Sequence, residues 1–167
     1  MRIEWMEQYL AEAEKLVYSN QINEGIDLLK NLLYDEPGYA SLHNHLGWAY
    51  LYYTADLSAA ELHLKMAIRF DEAFAPPYLH LGNLYMKKAA YKNALFYLEK
   101  GLVKEQANKV ALYECMGRAY EQMHGYAKAI KAYKQAALAS MTTFEIDSFK
   151  EGIRRCRKKR LIFLFSL

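Results

Sequence analysis

The chain's 167 residues suffice for one domain, which at that length buries roughly two-thirds of its unfolded surface. Hydrophobic residues make up 53%, with three Pro and eight Gly, a composition that excludes a disordered chain and a turn-rich β protein. The net charge of +3 divides unevenly: positions 150–160 carry seven basic residues and one acid, leaving 15 basic against 18 acidic residues elsewhere, so a mildly acidic body precedes a basic end.

In chain order, apolar residues at helical spacing predict helix pairs. In residues 4–39, Tyr9, Ala13 and Leu16 line a first helix, and Ile22, Gly25, Leu29, Leu32 and Leu33 a second that ends before Pro37 and Gly38. The pair over 40–74 has His43, Leu46, Gly47 and Tyr50, then Ala60, Leu64 and Ala67, with one extra residue expected in the turn around Thr54 to Asp56. Over 75–109, Pro76 and Pro77 suit a helix's first turn; Tyr78, Leu81, Leu84 and Tyr85 follow, then Tyr91, Ala94, Leu95, Leu98 and Leu102. The pair over 110–143 has Tyr113, Met116, Gly117 and Tyr120, then Tyr126, Ala129, Tyr133 and Ala136. Thr142 with Glu145 reads as a capping box that opens a ninth helix over 142–160, with Phe149 and Ile153 on its apolar face and an apolar tail over 161–167.

Two small-residue series share one period. Ala13, Gly47, Gly82 and Gly117 lie 34, 35 and 35 residues apart, and Gly25, Ala60, Ala94 and Ala129 lie 35, 34 and 35 apart. A residue without bulk at these points lets two helix axes approach closely, and at least three stacked units make such an array stable.

These residues resemble the tetratricopeptide repeat, a 34-residue helix-turn-helix unit that runs aromatic, Leu-Gly, Tyr, then Ala and an aromatic or Leu. Tyr78, Leu81, Gly82, Tyr85, Ala94 and Leu98 fill those places in order, and Gln106 stands where the family's closing Pro usually falls. The resemblance implies an all-α, right-handed α-solenoid of about four units over 4–141, closed by the C-terminal capping helix. It also implies a protein-binding scaffold, because the first helices of successive units line a concave groove.

The places that face the groove in this family fall here on Leu10, Glu14, Val17 and Tyr18, then Asn44, Trp48, Leu51 and Tyr52. Further along they fall on Leu79, Asn83, Met86 and Lys87, then Glu114, Arg118, Glu121 and Gln122. Asn44, Trp48, Tyr52, Leu79, Asn83, Lys87 and Arg118 are the expected contacts for a peptide with apolar anchors, whose backbone the two Asn side chains can grip. The cationic clamp by which some members hold the acidic tail of heat-shock chaperones is missing, since its places carry Leu10, Glu14, His45, Pro76 and His80 in one register and Asn44, Trp48, His80, Ala111 and Cys115 in the other.

Other chemistry finds little support. His45, His80 and Cys115 recur at one repeat position, but neighbouring helices about 8–10 Å apart hold such side chains too far apart to share one ion, so no metal or other cofactor is expected. Cys115 and Cys156 have no CxxC spacing. No HExxH, Gly-rich phosphate loop or Ser-His-Asp pattern suggests an enzyme. With no apolar signal segment at the start and no run of about 18 apolar residues, a cytoplasmic location is the default. The basic run Arg154, Arg155, Arg157, Lys158, Lys159 and Arg160 offers alternatives: binding to nucleic acid or an anionic membrane, with Leu161 to Phe165 inserting in the latter case, or self-association through the apolar end. A secretion-type chaperone shares the size and repeat type but is usually acidic.

Overall fold

The computed structural model describes residues 2–165. Among the described residues there are nine helices and no strand: α1 (Arg2–Tyr18), α2 (Ile22–Asp35), α3 (Ala40–Tyr53), α4 (Leu57–Phe70), α5 (Pro76–Lys87), α6 (Tyr91–Leu102), α7 (Lys109–Gln122), α8 (Tyr126–Ala139) and α9 (Thr143–Phe165). They form two compact units, Met1–His80 and Leu81–Leu167. Helix α9 runs unbroken into the expected apolar tail. Residues 166 and 167, and the side chains of 163–165, lie outside the described part of that tail.

In the first unit, Leu10, Ala13 and Val17 of α1 meet Ile26 and Leu29 of α2 and Leu42 and Leu46 of α3 in one apolar core. Burying each Leu or Ile contributes roughly 1.5–3 kcal/mol. The small residues work as their spacing suggests: a Cβ on Gly25 would lie 2.7 Å from Val17 Cγ2, and one on Gly47 would lie 2.5 Å from Leu64 Cγ. In the second unit a Cβ on Gly82 would lie 2.4 Å from Leu98 Cδ2, and one on Gly117 2.6 Å from the Tyr133 ring. Tyr133 then packs with Ala129, Ala136, Phe149 and Cys156 to join α8 and α9.

Three-residue turns close all four pairs, so the extra residue expected at Thr54 to Asp56 instead lengthens α3 beyond Gly47 by one position. Three of the turns share one backbone device. Asn20, Ala89 and His124 take left-handed φ values of 65°, 53° and 59°. The next N–H then donates to the carbonyl five residues back: Gln21 to Leu16 at 2.9 Å, Ala90 to Tyr85 at 2.9 Å, and Gly125 to Tyr120 at 2.8 Å. The shifted phase at α3 forbids this closure, and side chains replace it. Thr54 Oγ1 donates to the Tyr50 carbonyl at 2.9 Å, and Asp56 Oδ1 accepts from the Ser58 and Ala59 N–H groups to cap α4. Thr142 caps α9 by accepting from the Glu145 N–H at 3.3 Å.

An imidazole pair ties α3 to α4. His43 Nε2–H donates to the Pro37 carbonyl at 3.1 Å, which leaves Nδ1 to accept from His63 Nδ1–H at 3.0 Å. Phe70 stacks on His43, and Tyr50 on His63. Burial lowers the pKa of His43 and, with the His43 charge, lowers that of His63 to about 4. In the unfolded chain these rings titrate near the ordinary 6.5, so the unfolded state takes up protons first as pH falls. Stability present above pH 6.5 should therefore decline toward pH 4, by about 1–2 kcal/mol after discounting for partial exposure. Urea midpoints measured between pH 4 and 7 check this; a flat profile would contradict it.

Candidate functional site

Asn44, Trp48 and Tyr52 stand at four-residue intervals on α3, which places them on one helix face. Asn44 is 6% exposed, and its Oδ1 is buried without a hydrogen-bond partner. Trp48 is half-buried: its ring meets Tyr18 edge-on at 5.4 Å and Tyr53 at 5.0 Å, so it serves the core of the first unit as well as its surface. Tyr52 is 40% exposed, and its ring packs edge-on against His80 at 5.7 Å. Burial, with the His45 charge as a smaller cause, lowers the His80 pKa to about 4, so above that pH this neighbour is an uncharged imidazole. Leu79 is half-buried, and Leu51 is fully buried in packing.

The second unit places its residues less uniformly. Lys87 and Arg118 are exposed. Asn83 is half-buried, and its Oδ1 accepts from Cys115 Sγ–H at 3.4 Å, so its acceptor already has an internal partner. Burial pushes the Cys115 thiol up to about 11, which makes it a hydrogen-bond donor and no nucleophile at neutral pH.

Two members of the basic run have a structural role. Glu121, 8% exposed on α7, accepts from Arg155 Nε and Nη2 at 2.8 Å each and from Lys159 Nζ at 2.8 Å. The Tyr133 hydroxyl donates to the same carboxylate at 3.2 Å. Arg155 above all, and then Lys159, hold the Glu121 pKa at about 2 against the opposing effect of burial. Arg155 and Lys159 are each about half exposed, with their charged ends held on Glu121. Both partners lie more than thirty residues from Glu121, but a signal existed: Arg155 and Lys159 sit four apart beside the apolar stripe Phe149, Ile153 and Cys156. Arg154, Arg157, Lys158 and Arg160 are exposed, and Arg154 pairs with Glu151 at 3.4 Å.

Among the described residues, no three His, Cys, Asp or Glu side chains gather as a metal site requires. His45 instead lies 2.7 Å from the Ser41 carbonyl and 3.1 Å from Glu14 Oε1. Among the same residues no helix is long and apolar enough to cross a membrane.

No protein-family model and no curated protein matches the sequence. Solved structures do match. PilF of Pseudomonas aeruginosa superposes with a TM-score of 0.79 at 16% identity, over 96% of this chain and 77% of that one. TTC0263, a thermophilic TPR protein of Thermus thermophilus, gives 0.74 at 19% identity, over 87% of this chain and 79% of that one. The MamA protein gives 0.68 at 20% identity, over 92% and 90%. The fold is that of the tetratricopeptide-repeat solenoids, and none of these similarities indicates a catalytic family.

Proposed function

We propose that the protein is a non-catalytic scaffold that binds a peptide segment of a partner protein along the faces of its first helices. The candidate contacts of the first unit are Asn44, Trp48, Tyr52 and Leu79; those of the second, a separate set, are Asn83, Lys87 and Arg118. The observation that carries this reading is the α3 face, where the half-buried Trp48 and the exposed Tyr52 follow, at one-turn intervals, a buried amide acceptor that folding leaves unsatisfied. An unpaired buried acceptor costs about 1–3 kcal/mol, and because this oxygen is sealed from solvent, a peptide N–H recovers part of that cost when binding turns the amide outward. Tyr52 supplies a rigid amphipathic contact two turns further along the same face, at a small entropic cost.

Asn44→Leu separates binding from stability. Replacing the orphaned amide by an apolar side chain of similar size should stabilise the fold by about 1 kcal/mol, or roughly 2–4 °C in melting temperature. The same variant, and Tyr52→Ala, should lose proteins that the intact chain captures from a lysate of the source organism. Capture undiminished by both substitutions would remove the α3 face as the binding site.

A further inference from the structure

Two open clefts lie side by side along the turn edge of the second unit. One, of about 490 Å³, is lined by Tyr120, Met123, His124, Tyr126, Lys128 and Arg160 among others. The other, of about 350 Å³, runs from Ala89 to Asn93 and shares Met123 with the first, so the two form one trough across the α5–α6 and α7–α8 turns. Its centre is apolar: Met123 is 38% exposed, and Tyr126 closes the wall behind it.

Its rim is cationic. Lys92 and Lys128 project from the first turns of α6 and α8, and Arg160 reaches the edge from α9. Among the described residues, neither Lys92 nor Arg160 has a carboxylate within ion-pair distance. Lys128 Nζ lies 5.6 Å from the centre of the Tyr120 ring, which holds the ammonium over the cleft without neutralising it. The charge is reinforced by two helix N-termini, because no side chain caps α6 at Ala90 or α8 at Gly125. Arg160 is placed by the Glu121 clamp: Arg155 and Lys159 fix how α9 is rotated, and the next residue then faces the start of α8.

We propose that this edge is a second docking surface, one that takes an extended acidic segment of a partner protein with an apolar or aromatic residue seated over Met123. The length of two joined clefts suits a chain passing through. The paired apolar centre and cationic rim fit alternating aromatic and carboxylate side chains better than a phosphate backbone, which would leave Met123 and Tyr126 without a counterpart.

The test is fluorescence anisotropy with a labelled decapeptide of Asp and Glu around one central Phe. The full chain should bind it saturably, and more weakly as salt rises. The pair Lys128→Glu and Arg160→Glu, and separately Met123→Asp, should each weaken binding about tenfold or more. Lys158→Glu, the reversal of a single charge at an exposed site outside the trough, should leave it within about twofold. Tyr52→Ala should also leave it unchanged, which separates this surface from the α3 face. All substituted side chains are at the surface, and circular dichroism of each variant checks that it folds. The proposal is overturned if the probe does not saturate, if Lys158→Glu weakens it as much as the double change, or if a single-stranded oligothymidine displaces it at lower concentration than unlabelled peptide.

Discussion

Glu121→Gln is expected to lower the melting temperature by roughly 5–10 °C, the equivalent of about 2–3 kcal/mol in a chain of this size. The carboxylate is almost fully buried, and its acceptor oxygens serve two cations and a hydroxyl. An amide of the same shape offers one acceptor and turns an NH₂ toward the cations. Arg155 and Lys159 are about half exposed and can swing into water, which keeps the loss below that of a fully buried pair. The sign with pH follows from the lowered pKa. An unfolded Glu titrates near 4.5 and the folded one near 2, so its stabilisation is complete above pH 4.5 and disappears as pH falls toward 2. The variant should lack that slope while keeping the one between pH 4 and 6.5 that the imidazoles produce. Denaturant midpoints taken from pH 2 to 7 resolve the two windows; an unchanged acid limb in Glu121→Gln would mean that the clamp contributes nothing.

Gly82→Ala should destabilise by about 2–3 kcal/mol even though Ala favours a helix over Gly by about 1 kcal/mol. The added methyl meets Leu98 Cδ2 at 2.4 Å and Cγ at 2.7 Å, and Leu98 is fully buried. Either the two helices separate or Leu98 leaves its preferred rotamer. Leu98→Ala alone should cost about 2–5 kcal/mol by opening a cavity. Combined, the two changes should cost clearly less than their sum, because each relieves the fault of the other. Additive losses in thermal or urea unfolding would show that the two positions do not press on each other.

The architecture is legible in the sequence because close helix packing leaves a periodic trace. Gly47, Gly82 and Gly117 each lie against a bulky side chain of the following helix, Leu64, Leu98 and Tyr133, and Ala60, Ala94 and Ala129 are fully buried. Fine placement at the candidate site is less accessible. By its position Trp48 reads as a groove anchor, yet two tyrosines hold it at their edges; one of them, Tyr18, lies on another helix thirty residues earlier. Asn83 reads as available to grip a ligand, but a thiol 32 positions further on occupies its acceptor. Local periodicity reports which face a residue occupies. It does not report which distant side chain arrives there, and the Glu121 clamp is hidden for the same reason.

The left-handed turns have a consequence for how this protein can change over generations. After α1, α5 and α7 the bonds that close the reversal are main-chain ones, so that closure survives exchange of the side chains there provided the left-handed position avoids β-branched residues, although His124 Nδ1 also lies 2.9 Å from the Tyr126 hydroxyl. The turn after α3 has no such latitude, because Thr54 and Asp56 close it with their own oxygens. Mutational freedom is therefore concentrated on the α5–α6 and α7–α8 edge, where new recognition chemistry can accumulate without disturbing the packing beneath it.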